Sequence, residues 1–127
     1  VFELHGSVYR NYCTRCGKFY TVQELLEREG VPKCVCGGII KPDVVLYEEG
    51  LDQNILRGAI EAIRQADMLI IGGTSLVVYP ANGLVEYFQG KYLVVINKSP
   101  THMDGRADLL IEENIGAVLE KLHVSAS

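Results

Sequence analysis

Apolar side chains in the second half of the chain follow two alternating periodicities. Between residues 52 and 66 they recur at helical spacing, and Asp52 can cap the helix at its start. Continuous apolar runs then occupy residues 68–71 and 92–96, and a third run, which opens with Asp108, spans residues 108–111. Short continuous runs of this kind are typical of buried strands.

Two further helices are predicted beside these strands, from Pro80 to Gln89 and from Ile115 to Leu122. Strands that are apolar on both faces are buried on both faces, and their alternation with helices makes them parallel. We therefore predict an α/β fold in which residues 41–127 form part of a Rossmann-like parallel sheet with helices.

The first forty residues have a different pattern, punctuated by cysteine and glycine. Thr21 and Glu24 form a capping-box pattern that opens a short helix through Glu29, and residues 43–47 are predicted to form a strand. The chain begins at Val1 in strand-like alternation, without an initiating methionine. We therefore expect it to be a fragment of a longer protein.

Four cysteines lie in two close pairs, Cys13 with Cys16 and Cys34 with Cys36. A tight turn in the first pair and an extended stretch in the second would each point two sulfurs to one side. Four thiolates fill a tetrahedral zinc site and leave no position for water or substrate. The alternatives are a pair of disulfides or four free buried thiols. We predict a zinc-ribbon-like module over residues 9–40 that holds a structural Zn²⁺.

The composition narrows the class of protein. The chain has 48% hydrophobic and 22% charged residues, as expected of a globular domain. A net charge of −4 does not favour a nucleic-acid surface, and no apolar run approaches the roughly 20 residues that span a bilayer. Reduced cysteine pairs and no recognisable secretory leader favour the cytoplasm.

Small and polar residues follow two of the predicted strands. The Gly72-Gly73-Thr74-Ser75 stretch comes after the first, and Asn97 comes after the next. In open α/β sheets ligands bind beyond the carboxyl ends of the strands, so an extended ligand such as a dinucleotide would suit this rim. A plain turn is the alternative, since the GxGxxG pattern is absent.

His5 lies where a strand-like segment meets Gly6. An imidazole titrates near neutral pH and can take a proton from a hydroxyl, so His5 is a candidate general base. A turn histidine that is solvated or bonded to the backbone is the alternative.

Five motifs follow one another along nearly the whole chain. They are Glu3-Leu4-His5-Gly6-Ser7, the two cysteine pairs, the stretch from Lys41 to Glu49, the stretch from Gly73 to Ala81, and Val95-Ile96-Asn97. Their residues and order resemble the C-terminal half of the sirtuin catalytic core, and a bacterial-type sirtuin most closely.

The resemblance implies an NAD-dependent protein lysine deacylase, which transfers the acyl group of an acylated lysine to ADP-ribose and releases nicotinamide. His5, in the segment 1–8, would be the base that activates a ribose hydroxyl. The residues that would contact NAD are Gly73, Thr74, Ser75, Asn97, Lys98, Ser99 and Gly116. Acylated peptides would pair as an added strand with Val45, Leu46, Tyr47, Glu48, Val77 and Val78.

The chain departs from the family pattern in two ways. Tyr47-Glu48-Glu49 stands where many sirtuins have Phe-Gly-Glu. The family's Gly-Ala-Gly loop, its Arg-bearing cofactor loop and its Gln-Asn-Ile-Asp motif precede the catalytic histidine and are not in this sequence. We therefore expect the chain alone to bind NAD poorly and to be inactive.

Two expectations about partners follow. A sheet edge left unpaired would promote self-association of the chain. The other class of function that remains open is a non-catalytic, zinc-stabilised module that binds a nucleotide or a protein.

Overall fold

The computed structural model describes residues 1–46, 49–78 and 81–125. They form two compact units, Val1–Leu56 and Arg57–Ser127. The strands are β1 (Gly6–Cys13), β2 (Phe19–Tyr20), β3 (Ile40–Val44), β4 (Met68–Gly72), β5 (Tyr92–Ile96) and β6 (Leu109–Ile111). The helices are α1 (Val22–Leu26), α2 (Gln53–Gln65) and α3 (Ile115–Leu119), with 3₁₀ segments at Ala81–Tyr87 and Asp104–Arg106.

The first unit is built on an antiparallel sheet in the order β2-β1-β3. The β1–β3 pairing runs from Gly6 opposite Val44 to Cys13 opposite Ile40, with a shift in register between Ser7 and Asn11. The Asn11 side chain is buried at this irregularity and donates to the Val8 carbonyl over 2.9 Å. The strand predicted over residues 43–47 begins earlier, at Ile40, because it pairs along β1.

The predicted capping box at the start of α1 is present. The Thr21 hydroxyl accepts from the Glu24 amide over 3.3 Å, and the Glu24 carboxylate accepts from the Thr21 amide over 2.7 Å. The helix ends at Leu26 and not at Glu29 as predicted. The Arg28 amide donates to the Leu25 carbonyl, three residues earlier, so the chain tightens into a turn before Gly30.

The second unit contains a parallel sheet in the order β4-β5-β6. Met68 lies opposite Tyr92 in the first pair of strands, and Ile96 lies opposite Ile111 in the second. A buried apolar cluster covers one face of the sheet and consists of Ile71, Leu76, Val85, Leu93, Val95 and Met103. The predicted parallel α/β arrangement is therefore confirmed for this unit.

Three local predictions about this unit were wrong. Both faces of the strands were expected to be buried, but Met68 and Ile70 are nearly half exposed because the apolar cluster packs on the opposite face. Ala81–Tyr87 forms a 3₁₀ segment where an α-helix was predicted, and its Gly83 disfavours a regular helix. Helix α3 ends at Leu119, after which the Leu122 amide bonds three residues back to the Leu119 carbonyl.

Helix α2 has the predicted position, and the Asp52 carboxylate accepts from the Asn54 and Ile55 amides at its start. Within the described ranges, no helix is both long and apolar enough to cross a membrane.

Candidate metal centre and ligand-binding rim

The four cysteine sulfurs of the first unit converge on one point. All four Sγ atoms lie within 4.8 Å of one another, with 3.4 Å between Cys13 and Cys36 and 3.6 Å between Cys16 and Cys34. Four sulfurs around Zn²⁺ at about 2.3 Å would be about 3.8 Å apart. The cysteines are free, which excludes the two-disulfide alternative in this structure.

Glycines allow the two cysteine turns to approach each other. A side chain at Gly38 would place its Cβ 2.6 Å from the Cys13 sulfur and 2.7 Å from the Arg15 Cβ. Gly37 has a φ of +85°, a conformation that residues with a side chain rarely adopt. The two turns are tied together because the Thr14 amide donates to the Ile39 carbonyl over 2.8 Å.

Hydrogen bonds to the sulfurs favour thiolates at two of the four positions. The backbone N–H groups of Cys16 and Arg15 lie 3.4 and 3.3 Å from the Cys13 sulfur, and they lower the pKa of that thiol. The backbone N–H of Cys36 and the Tyr20 hydroxyl lower the pKa of the Cys34 thiol to about 6.

Crowding has the opposite effect at Cys16. The Lys18 backbone N–H favours the thiolate of Cys16, but the neighbouring thiols of Cys34, Cys13 and Cys36 outweigh it and raise its pKa to about 11. Four negative sulfurs at these distances repel one another, and a divalent cation between them would remove that repulsion. The cluster therefore suits a structural Zn²⁺ that all four cysteines hold, with no open position for catalysis.

His5 is exposed on the turn that precedes β1. The turn is closed by a 3.1 Å hydrogen bond from the Gly6 amide to the Glu3 carbonyl, and the His5 carbonyl accepts from the Val45 amide over 2.9 Å. The first unit therefore brings the predicted base beside Val45, the first residue of the predicted peptide segment. Leu46 is exposed next to it, whereas Tyr47 and Glu48 lie outside the described residues.

In the second unit, the side chain of Asn97 holds the loop that follows β4. Its Oδ1 accepts from the Thr74 amide over 3.1 Å, and its Nδ2 donates to the Thr74 and Ser99 carbonyls over 2.5 and 2.9 Å. Asn97 is buried and its amide is engaged in these bonds. We therefore expect a ligand at this rim to contact the loop that Asn97 positions more than the Asn97 side chain.

The loop itself has an unusual backbone. Gly73 has a φ of +63°, and buried Leu76 has a φ of +54°, which is rare for a residue with a side chain. A conformation of this kind costs on the order of 1–3 kcal/mol and persists only where the surroundings impose it. Here the Thr74 hydroxyl accepts from the Leu76 amide over 3.1 Å. Val77 and Val78, predicted to bind peptide, follow this strained residue and are exposed.

A cavity of about 180 Å³ opens at the same rim. Pockets that enclose a whole small ligand usually measure about 300–1,000 Å³, so this one fits a single moiety of a dinucleotide. Its lining is Gly73, Asn97, Lys98, Glu113, Asn114 and Ile115. Glu113 and Asn114 were missed in the sequence, although Asn before a helix is a recognisable N-cap signal.

The other four predicted cofactor contacts have clear positions. Ser75, Lys98 and Ser99 are exposed at the ends of β4 and β5. Gly116 lies in α3, where its amide donates to the Asn114 side chain over 2.9 Å. The roles of these residues, like those of His5 and the peptide segments, stay predictions.

We compared the chain with known protein families and with known proteins. The Sir2 family model matches residues 1–80. The NAD-dependent protein deacetylase of Clostridium perfringens is 66% identical over 124 residues, which are 96% of this chain and 51% of that protein. The enzyme of the same name from Staphylococcus aureus (strain Mu50) is 43% identical over 122 residues, covering 96% of this chain and 50% of that protein.

Solved structures give the same result. A Sir2–p53 peptide–NAD⁺ complex superposes with a TM-score of 0.82 at 38% identity, covering 95% of this chain and 53% of that one. Sir2Tm bound to a propionylated peptide superposes with a TM-score of 0.83 at 37% identity, covering 95% of this chain and 54% of that one. The chain spans about half the length of the relatives it matches. From the family match and these identities, the chain belongs to the Sir2 family.

Proposed function

We propose that this chain supplies the zinc module, the catalytic base and part of the NAD-binding surface of an NAD-dependent protein lysine deacylase. Its membership of the Sir2 family supports the proposal, as do relatives named NAD-dependent protein deacetylases. Because the chain spans about half of those relatives, the activity is assigned to the whole protein and not to this chain alone.

The position of His5 is the observation that carries the proposal. The imidazole is exposed on a turn fixed on both sides, by the Gly6 amide and by the Val45 amide. A base in this position is open to a ligand hydroxyl while its backbone is held against the strand that leads to the peptide segment. His5 would accept the proton of a ribose hydroxyl and so make that oxygen nucleophilic.

NAD, when bound, supplies the ribose that receives the acyl group and the nicotinamide that leaves. The rim residues of the second unit fit part of such a ligand. Gly73 has no side chain to keep a ligand from the backbone, and its φ of +63° is one that residues with a side chain rarely adopt. Ser75 and Ser99 offer exposed hydroxyls, and Lys98 offers a charge suited to phosphate.

Peptide binding would use main-chain groups of the protein. Two segments offer main-chain groups for pairing with an extended peptide. One starts at Val45, and the other contains the exposed Val77 and Val78. Main-chain pairing reads little of the peptide sequence, so we propose a broad range of acylated-lysine substrates. The preferred acyl group would depend on parts of the protein beyond this chain.

A chimera tests the function. The chain is joined to the N-terminal half of the Clostridium perfringens relative, and nicotinamide release from NAD is measured with and without an acetyl-lysine peptide. We expect release only when the peptide is present. His5→Ala should reduce the rate by at least about 100-fold, which is the contribution typical of a general base.

His102→Ala is the matched control, because His102 is also an exposed histidine but lies near the second 3₁₀ segment. It should leave the rate unchanged. Peptide-dependent release that survives His5→Ala would reject His5 as the base. A chimera that binds nucleotide but releases no nicotinamide would favour the non-catalytic binding module.

Two further proposals concern location and assembly. Four free thiols gathered in one cluster suit a reducing compartment, so we propose that the protein is cytoplasmic. In the described sheet of the second unit, β4 has a neighbour on one side only, and such an edge can pair with another chain. Sedimentation that shows only monomers of the chain at high concentration would contradict this self-association.

A further inference from the structure

Tyr20 makes a buried contact with the metal centre. Its side chain is only 3% exposed, and its hydroxyl donates to the Cys34 sulfur over 3.0 Å. Tyr20 packs in one cluster with Cys13, Cys34 and Ile40. A buried tyrosine that served only as apolar filling would still need a partner for its hydroxyl, and here the partner is a ligand sulfur.

Two cations lie against the same aromatic ring. The Lys18 Nζ is 5.2 Å and the Arg28 guanidinium carbon is 5.0 Å from the ring centroid. A cation over the face of an aromatic ring is attracted to it, so these two contacts help to hold the Tyr20 ring in place. Arg28 is itself held because its guanidinium donates to the Lys33 carbonyl.

The net charge of the metal centre explains why a hydrogen-bond donor and two cations near it are favourable. Four thiolates around a divalent cation leave a net charge of about −2, which donors and nearby cations stabilise. Cys13 receives two backbone N–H groups, from Arg15 and Cys16. Cys34, the other buried ligand, receives the side-chain hydroxyl of Tyr20. Residues that bond to metal ligands in this way orient the ligand, and their loss typically lowers metal affinity by about 10–100-fold.

We propose that Tyr20 is a positioning residue of the metal centre, whose hydroxyl fixes the Cys34 sulfur and slows loss of the metal. This inference concerns the stability of the zinc module and does not depend on the proposed deacylase activity. It requires only that the full chain bind one Zn²⁺ through its four cysteines.

Zinc-release kinetics test the proposal. The 127-residue chain is loaded with Zn²⁺, its stoichiometry is measured, and release into an excess of a chromogenic chelator is followed. Tyr20→Phe removes the hydroxyl but keeps the ring, and we expect release about tenfold faster, in line with other losses of a bond to a metal ligand. Tyr9→Phe is the matched control, because Tyr9 lies in the same module and is 71% exposed.

Substitution with Co²⁺ separates a bond to sulfur from a packing effect. The charge-transfer bands of Co²⁺ report the electron density of its thiolate ligands, so losing the hydroxyl should shift them in Tyr20→Phe and not in Tyr9→Phe. A variant that was merely less well packed would release metal faster with unchanged bands.

The outcomes are distinct. Faster release together with shifted bands supports the proposal. Release at the rate of the unsubstituted chain, or faster release with unchanged bands, overturns it. A chain that takes up no Zn²⁺ also overturns it, whereas a chimera without deacylase activity leaves these measurements unaffected.

Discussion

Different interactions stabilise the interior of each of the two units. Among its described residues, the first unit buries a hydrophobic cluster of Cys13, Tyr20, Cys34 and Ile40, and two of these would be metal ligands. The second buries six apolar side chains on one face of a parallel sheet, among them Val95 and Met103, which are almost inaccessible to solvent. A small unit that buries few apolar side chains needs another source of stability, and a Zn²⁺ held by the four cysteines would supply it.

This difference predicts which changes should destabilise each unit. We expect the stability of the first unit to fall when a chelator removes the metal or a cysteine is replaced, and to change little when one methyl group is lost. The second should respond to cavities and to broken buried hydrogen bonds.

Removal of the metal should have the largest effect on stability. Structural Zn²⁺ contributes about 10–16 kcal/mol of apparent binding free energy in small zinc-dependent domains, so chelation or Cys34→Ser should unfold the first unit. Hydrogen exchange is the measurement: the amides of β1 and β3 should lose protection while those of β5 keep it. Simultaneous loss of protection in β5 would show that the units do not differ in this way.

A cavity in the second unit should have the next largest effect. Met103 is 1% exposed, and Met103→Ala should lower the free energy of unfolding by about 2–5 kcal/mol, because it removes packed atoms and leaves a void. Denaturant unfolding measures it. Met68→Ala is the control, since Met68 is 49% exposed and should change stability by less than about 0.5 kcal/mol. Equal effects at both positions would argue against the assigned core.

Loss of the Asn97 side chain should have a smaller effect, and a local one. Asn97→Ala leaves the Thr74 amide and carbonyl without their partner, which should cost about 1–3 kcal/mol. It should also raise hydrogen exchange in residues 73–78. Asn54→Ala, on the exposed surface of α2, should change neither quantity. A loop that stays protected without the amide would mean that other contacts hold it.

The capping box of α1 should produce the smallest effect, visible as a pH dependence. The Thr21 backbone amide, and then its hydroxyl, lower the pKa of Glu24 from its usual 4.5. A carboxylate with a lowered pKa in the folded state stabilises it above pH 4.5, and this contribution is lost as pH falls through the folded-state pKa.

Glu24→Gln should therefore lower the melting temperature slightly at pH 7, and the difference from the unsubstituted chain should shrink as the pH falls below 4.5. Both proteins lose metal alike in acid, so the difference between them isolates the carboxylate. A difference that stays constant with pH would contradict this role of Glu24.

Much of the fold could be predicted from local patterns. The run at 92–96 coincides with β5, the helix after Asp52 coincides with α2, and the Thr21–Glu24 pair caps α1 as expected. The spacing of the cysteines predicted the metal cluster, and the order of motifs identified the family that the comparisons confirm. These features depend on residues that are near in sequence, or on a whole pattern, so the sequence displays them directly.

Other features depend on contacts between distant residues, and only the tertiary structure decided them. Tyr20 meets Cys34 fourteen positions away, and Asn97 reaches the Thr74 loop across twenty-three. The left-handed backbone of Leu76 runs against its own conformational preference, so no local pattern could reveal it. The sequence determined which elements form and which sulfurs can meet, whereas packing decided which face is covered and which polar side chain holds each loop. Local propensity acts over a few residues, but these choices depend on which distant groups meet when the chain is compact.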